Sequence, residues 1–147
     1  MPLNIRRVIT GHDDGKAVVL IDDTAGNKRI PRPGVETALV WMTDSTPAEL
    51  TGQEDLGSRT VDRPPSYRGS IFRVIEFSPG NERDMHVTPT IDYAVVISGE
   101  IDMELDDGVE VHLQAGDVLV QRATVHNWVN RGDAPCVIAF VLMDAQP

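Results

Sequence analysis

Apolar positions in this chain alternate with polar ones over short runs, and glycine, proline or aspartate separates the runs. The clearest case is EIDMELDDGVEVHL, residues 100–113, where apolar residues take every second position on both sides of an Asp107-Gly108 turn. A period of two predicts a half-buried antiparallel hairpin. His112 shares the polar face of this hairpin with Glu110 and Gln114, so we expect it to face solvent.

Similar runs predict strands along most of the chain. RRVITGHDDGKAVVLIDD indicates two strands around an Asp13-Asp14-Gly15 turn, and single strands are expected in GVETALVWMTD, SIFRVIEF, DYAVVIS, DVLVQ and HNWVN. The continuous apolar run CVIAFVLM predicts a strand buried on both faces. STPAEL has the pattern of a short helical start, with Thr46 as N-cap, Pro47 at the first helical position and Glu49 completing a capping box. Many short strands with little helical periodicity predict an all-β antiparallel sandwich or barrel.

Residues 51–66 hold almost no apolar side chains and are predicted to form a loop. Such a loop can be a mobile surface connection. It can also be a lid over a pocket, because long loops in compact domains are often functional.

Composition narrows the possible partners. The chain has 147 residues with 41% hydrophobic content, which suits one domain, 1–147, and we find no internal boundary or repeat. A net charge of −10 argues against nucleic acid and anionic membrane surfaces as partners. No run approaches membrane-spanning length and no signal-like segment opens the chain, so a cytoplasmic location is expected. The single cysteine, Cys136, lies in an apolar run and is predicted to be a buried free thiol.

Two histidines stand beside predicted strands in segments with regular spacing. The first segment has Gly80, five residues, His86, one residue, Thr88, three residues, Asp92, six residues and Gly99. The second has Gly116, Gln121, Ala123, His126, three residues and Asn130.

These two segments resemble the paired motifs of the cupin superfamily, and the resemblance covers about residues 70–142. The first motif, G(X)5HXH(X)3-4E(X)6G, matches at both glycines and at His86. The second, G(X)5PXG(X)2H(X)3N, matches at Gly116, His126 and Asn130. Gln121 and Ala123 stand where the motif has Pro and Gly, and the segment is one residue short.

The resemblance implies a double-stranded β-helix (jelly-roll) barrel at about 70–142, with extra strands and a polar loop in residues 1–69. It also implies a site for one divalent metal ion, Fe, Mn, Ni or Zn, held by His86, Asp92 and His126. Thr88 replaces the second histidine of the motif, and Asp92 replaces its glutamate. Two imidazoles and one carboxylate are the ligand set of open non-haem iron sites, which leave positions free for water or substrate.

Neighbouring residues complete the predicted pocket. Residues two apart on a strand share a face, so Thr88 is expected beside His86 and Trp128 beside His126. With Gln121, these residues are candidate substrate contacts. Arg73 and Glu76 lie on opposite faces of one strand, so only one of them can reach the pocket. We expect Arg73 to face solvent; an inward Arg73 would instead bind a substrate carboxylate through two hydrogen bonds.

Three readings of this site remain open. The metal reading predicts a small-molecule enzyme acting on a carbonyl- or carboxylate-bearing substrate, as a decarboxylase, dehydratase or isomerase, or as an iron-dependent dioxygenase. A metal-free pocket could bind a small ligand without turnover, or could use His86 and Asp92 as an acid–base pair. The polar residues could also be purely structural. The resemblance further implies a homodimer, for which the N-terminal strands are candidates.

Overall fold

The computed structural model describes residues 3–61, 65 and 68–146. In these residues the chain forms eleven strands and two short 3-10 helices, at Leu56–Ser58 and Asp106–Gly108. The strands are β1 (Arg6–Asp13), β2 (Lys16–Thr24), β3 (Lys28–Arg32), β4 (Val35–Thr43), β5 (Ser70–Phe77), β6 (Thr90–Ser98), β7 (Glu100–Glu104), β8 (Glu110–Gln114), β9 (Val118–Arg122), β10 (Asn127–Val129) and β11 (Cys136–Asp144).

Two antiparallel sheets enclose the main core. One has six strands in the order β3-β4-β5-β11-β6-β9, and the other has three in the order β10-β7-β8. Side chains of both sheets form one buried cluster, which includes Ile101 and Trp128 from the smaller sheet and Phe77 and Ile138 from the larger one. The predicted all-β double-stranded β-helix fold is confirmed. The strand pairings in the described residues form separate sheets rather than one closed barrel.

The N-terminal segment covers part of the outer face of the six-stranded sheet. Leu3 and Ala25 pack there against Ala38, Val40 and Val74 in a second buried cluster. Strand β11 accordingly has one fully buried face, whereas its other face is only partly buried beneath this layer. The prediction that this strand is buried on both faces is therefore correct only in part.

The predicted N-terminal hairpin is confirmed, and its turn explains the sequence Asp13-Asp14-Gly15. Asp13 pairs with Lys16. The two residues between them have φ of 50° and 74°, as in the type I′ turn that matches strand twist.

Arg7 of β1 connects the hairpin to the rest of the molecule through ion pairs. Its buried guanidinium contacts Asp23 at 2.8 Å and Asp55 at 2.6 Å.

Strand β3 is absent from the sequence prediction. It contains Pro31 and three basic residues, Lys28, Arg29 and Arg32, a composition that argues against a strand. Proline is tolerated here because β3 is at the edge of the sheet and pairs only with β4.

The predicted helical start at residues 45–50 is wrong. Residues 44–47 form bends, the peptide bond between Thr46 and Pro47 is cis, and Leu50 is 88% exposed. A short helix is stable in a protein only when it buries an apolar face, and no such face follows Pro47.

Part of the predicted loop 51–66 lies against the larger sheet. Leu56 and Val61 pack on the main core, and Asn27 donates hydrogen bonds to the carbonyls of Gly57 and Arg59 at 2.9 and 2.7 Å. Residues 62–64 and 66 lie outside the described residues, so closure of the loop as a lid stays a prediction.

No helix among the described residues is long and apolar enough to cross a bilayer. The cytoplasmic location stays a prediction.

Cys136 is fully buried, as predicted, and this burial raises the pKa of its thiol to about 11. A thiol with so high a pKa is a poor nucleophile at neutral pH.

Candidate active site

His86 and His126 are brought together by backbone pairing. Each residue donates its amide to the carbonyl of the other, at 3.0 and 2.9 Å, in an isolated antiparallel bridge. Directly opposed residues of such a pair project side chains to the same side of the sheet. The two imidazole rings consequently lie 4.4 Å apart between centroids.

Asparagine side chains hold this bridge in place. Asn81 donates to the carbonyl of Trp128 at 2.8 Å and accepts the amide of Asn130 at 2.9 Å. Asn127 accepts the amide of Asp84 at 2.9 Å. These hydrogen bonds hold the segment that carries His86 against β10 and the residues on either side of it.

Both imidazoles have the same proton arrangement. His86 Nδ1 lies 2.8 Å from the carbonyl of Asp84, and His126 Nδ1 lies 2.9 Å from the carbonyl of Thr124. A carbonyl oxygen can only accept, so each Nδ1 carries a proton and donates. A neutral ring in this tautomer has its lone pair on Nε2.

Asp92 and Gln121 lie on neighbouring strands and continue the network. They are directly paired between β6 and β9, and both are buried. The Gln121 amide nitrogen is 3.3 Å from Asp92 Oδ2 and 3.3 Å from His126 Nε2, and Thr124 donates to the Gln121 amide oxygen at 3.1 Å. The other carboxylate oxygen of Asp92 accepts from Thr90 at 2.6 Å. Every donor and acceptor in this chain is consistent with an unprotonated His126 Nε2.

These side chains line a cavity of about 460 Å³. Its apolar wall includes Trp128, which lies edge-on to His126 at 6.1 Å and to Phe140 at 5.7 Å between ring centroids. Eight polar or charged residues line the cavity beside this apolar wall, and a concave site of this size is typical of small-molecule binding.

The structure brings together five of the six predicted site residues. His86, Asp92, Gln121, His126 and Trp128 all line the cavity. Thr88 is buried but is not part of the cavity wall, and its carbonyl accepts the amide of Thr90 at 2.8 Å. Among the described residues, no group of three or more His, Cys, Asp or Glu side chains is arranged to hold a metal ion.

Arg73 is a correction to the sequence prediction. It is 6% exposed and lines the cavity with Ile75 and Phe77, whereas Glu76 lies on the other face of β5. We expected Arg73 to face solvent because burying a charge is costly. The sequence of β5 alone does not show which of its two faces borders a cavity that contains polar groups.

The site also contains residues that sequence reasoning missed. Arg29, Ile30, Pro31 and Arg32 of β3 line the same cavity. The basic run around Pro31 is the only signal in the sequence, and it has meaning only once β3 is placed at the edge of the sheet beside the cavity mouth.

Two motif positions have conformational rather than chemical roles. Gly99 has φ of 76°, and a Cβ atom there would lie 2.4 Å from the carbonyl oxygen of Pro135. Ala123 stands where the cupin motif has glycine, and its φ is 53°, in the left-handed region that favours glycine. The backbone therefore keeps the motif geometry although the residue has changed.

His112 lies outside the site and faces solvent, as predicted. It contacts Asp102 at 2.6 Å and Glu100 at 3.3 Å, and these acidic partners raise the pKa of its imidazole, Asp102 more than Glu100.

Comparison with known proteins agrees with this architecture. The Cupin domain profile matches residues 73–142, the part of the chain that carries His86 and His126. The chain is 38% identical over 145 residues to the cupin-domain-containing oxidoreductase fogC of Aspergillus ruber, covering 94% of this chain and 71% of the relative. This chain belongs to the cupin superfamily.

Other cupin relatives are of the same kind. The cupin-domain-containing oxidoreductase virC of Hypocrea virens is 38% identical over 150 residues, covering 96% of this chain and 76% of the relative. Among solved structures, a Klebsiella pneumoniae protein with a double-stranded β-helix domain aligns with a TM-score of 0.56 and 24% identity, covering 80% of this chain and 83% of that one. At this identity, the likeness to the Klebsiella pneumoniae protein supports the fold alone.

Proposed function

We propose that this cupin is a small-molecule enzyme that holds one divalent metal ion, Fe, Mn, Ni or Zn, through His86, Asp92 and His126. The observation that carries the proposal is the shared tautomer of the two histidines. In metal sites, a ligating imidazole usually donates its other N–H to a carbonyl or carboxylate, which orients the ring and fixes the free lone pair. Both His86 and His126 have this arrangement.

The donor types suit a first-row transition metal. Two imidazole nitrogens and a carboxylate form the ligand set of open mononuclear sites. In the structure the Gln121 amide lies between Asp92 and His126. Because the three proposed ligands are not already arranged around an ion, metal binding requires Gln121 to give up these two contacts and the three side chains to move closer together.

We propose an oxidative reaction on a small organic substrate that bears a carbonyl or carboxylate. The support is that the relatives at 38% identity are named as oxidoreductases. When bound, the metal supplies Lewis-acid and redox chemistry. The chain itself supplies a cavity whose wall of Trp128 and Phe140 excludes water, together with an imidazole pair that orients the reacting group. Decarboxylation, dehydration and isomerisation use the same Lewis-acid role, so product analysis must separate them from oxidation.

A metal-free ligand-binding cupin is the second candidate. The observation that favours it is the closed hydrogen-bond chain from Thr124 through Gln121 to Asp92 and His126, which satisfies these groups with no metal. In this case the cavity sequesters a small molecule without turnover.

Metal analysis of protein purified without chelator separates the two candidates. We expect a metal-to-chain ratio near one for the wild type and a strong loss in His126→Ala. His12→Ala is the matched control because His12 is exposed on β1, and its metal content should not change. A ratio near zero that added Fe, Mn, Ni and Zn do not restore contradicts the metal proposal. Full metal content in His126→Ala contradicts the assignment of that ligand.

Turnover on a panel of keto acids and phenolic acids tests the reaction class. Product formation that needs iron and incorporates both atoms of ¹⁸O₂ into the product identifies a dioxygenase, and O₂ consumption without incorporation identifies an oxidase. Product formation without O₂ and without a change of oxidation state identifies a lyase or isomerase. No product with any metal favours the binding module.

We also propose that two copies of the chain form a dimer. The N-terminal strands expected for this contact stay a prediction, and a second surface supports the proposal. This is an apolar outer face on β6 and β9, where Tyr93, Val95, Ile97, Val118 and Val120 are 46–74% exposed. Contiguous exposed apolar surface of this kind marks interaction sites. Light scattering at micromolar concentration should give the mass of a dimer, and Val120→Lys should give a monomer. A monomeric wild type would refute this proposal.

A further inference from the structure

Three arginines line the cavity in addition to the histidine pair. Arg32 lies on the side of His86, because Asp84 Oδ2 is 3.1 Å from Arg32 Nη1 and 3.2 Å from His86 Nδ1. Arg29 and Arg32 come from β3, and Arg73 comes from the middle of β5. Among the described residues that line the cavity, Asp92 is the sole carboxylate. The chain as a whole has a net charge of −10, so this cluster of positive charge is against the general trend of the protein.

The position of Arg73 separates it from the metal-ligand candidates. Strands β5 and β6 are separated by β11 in the sheet, which places Arg73 about 10 Å from Asp92 in the hydrogen-bonding direction. A guanidinium at this distance can bind one end of a small molecule whose other end is at His86 and His126.

Arg32 completes the basic wall from the sheet edge. Its side chain is 14% exposed, and its Nη1 atom lies 3.1 Å from Asp84 Oδ2. Its Nε atom is buried and has no hydrogen-bond partner in the described part of the chain. A guanidinium presents its five donors as a planar fork that matches carboxylate and phosphate oxygens. Arg32 lines the cavity, so a ligand there can reach this side chain.

A buried guanidinium needs polar or charged groups around it. Arg73 already has an interaction within the protein, and a ligand anion would add to it. Arg73 is 6% exposed, and the neighbouring wall of Ile75, Phe77 and Phe140 is apolar. A low-dielectric environment also strengthens the attraction between a guanidinium and an anion.

We propose that Arg73 and Arg32 form an anion subsite, and that the natural ligand of the cavity is an organic anion, a carboxylate or a phosphate ester, on an apolar body that packs against Trp128 and Phe140. This inference deepens the proposed function and rests on it only in placing the reacting end of the ligand at His86 and His126. The N-terminal strand β3 is then a specificity element of the site.

The test compares an anion with a neutral amide of the same shape, and adds a second anion with a different head group, on metal-free protein at neutral pH. 3-Phenylpropionate and phenyl phosphate are the anionic probes, and 3-phenylpropanamide is the neutral one. Isothermal titration calorimetry measures the affinities. We expect an anionic probe to bind on the order of tenfold to hundredfold more tightly than the amide, the range for hydrogen bonds that involve a charged group.

Variants locate the discrimination. Arg73→Gln should lower the ratio of anion to amide affinity toward one, and Arg32→Gln should lower it by a smaller factor. Arg122→Gln is the matched control because Arg122 is exposed on β9 and the change removes the same net charge. The ratio in this variant should equal that of the wild type. The wild-type ratio is informative by itself if a buried arginine variant fails to fold.

Several outcomes would overturn the proposal. These are equal affinity of the wild type for the anions and the amide, no binding of any probe at millimolar concentration, and an unchanged ratio in both Arg73→Gln and Arg32→Gln. Preference for phenyl phosphate over 3-phenylpropionate, or the reverse, identifies which anion the subsite takes. The metal proposal and the anion proposal can fail independently. The metal proposal is tested by metal content, whereas the anion proposal is tested by the affinity ratio of the probes. His126→Ala should lose metal but keep the preference for anions.

Discussion

Gln121 decides between the metal-bound and metal-free states of this site, which makes it the most informative residue to change. Its amide group donates to Asp92 and contacts His126 Nε2, each at 3.3 Å. Both contacts stabilise only the metal-free state, because a metal ion would use the same carboxylate oxygen and the same lone pair. We therefore predict that Gln121→Ala binds metal more tightly than the wild type.

The structure gives the size of this effect. A hydrogen bond contributes a net of about 0.5–1.5 kcal/mol, and two bonds at the long distance of 3.3 Å should together contribute about 1–2 kcal/mol. Removing this competition should tighten metal binding by about 5–30-fold. The metal-free variant should also unfold more easily, because Asp92 then keeps only its hydrogen bond from Thr90.

The assay is calorimetric titration of chelator-treated protein with Mn²⁺ or Ni²⁺, together with thermal unfolding of the metal-free forms. Gln114→Ala is the matched control, since Gln114 is exposed on β8 and the same atoms are removed. Metal affinity in this control should equal that of the wild type. Equal or weaker metal binding by Gln121→Ala would refute the reasoning and would make Gln121 a ligand or a ligand-positioning residue.

Three further changes test the framework around the site. Asn130→Ala removes three hydrogen bonds, one buried and two partly buried, and should lower the free energy of unfolding by about 3 kcal/mol in urea denaturation. A loss of less than about 1 kcal/mol would contradict a structural role for this motif residue. Ala123→Gly relieves a left-handed conformation and should stabilise the fold by about 0.5–1 kcal/mol, whereas destabilisation would contradict the strain argument. The raised pKa of His112 gives a stabilisation that is complete below the ordinary value of about 6.5 and is lost as pH rises through the raised pKa. His112→Gln should flatten this part of the stability profile, and an unchanged profile would exclude the Asp102 pair as its cause.

Much of the fold was predictable because its signals are local. The period of two in residues 100–113 predicted the antiparallel pairing of β7 with β8, which the structure has. The predicted buried face is only partly correct, because Val109 and Val111 are 56% and 38% exposed. The Asp14-Gly15 turn depends only on the backbone conformations that these residues tolerate. The predicted strands around His86 and His126 are also present in the structure. The two errors come from tertiary context. The strand that contains Pro31 was missed because an edge position in the sheet tolerates a proline. The helix predicted at Pro47 does not form because it would have no apolar face to bury.

The sequence by itself determined the two histidines, the carboxylate between them in the chain and the strands that follow them, because motif spacing and alternation are properties of short segments. Only the tertiary structure decided what these residues face. The cross-strand bridge sets the imidazole rings 4.4 Å apart, β9 places Gln121 between Asp92 and His126, and β3 brings arginines to a cavity that no local pattern reveals. The physical reason is that burial, partners and charge at a site are set by strands far apart in the chain, and these meet only when the sheet has formed.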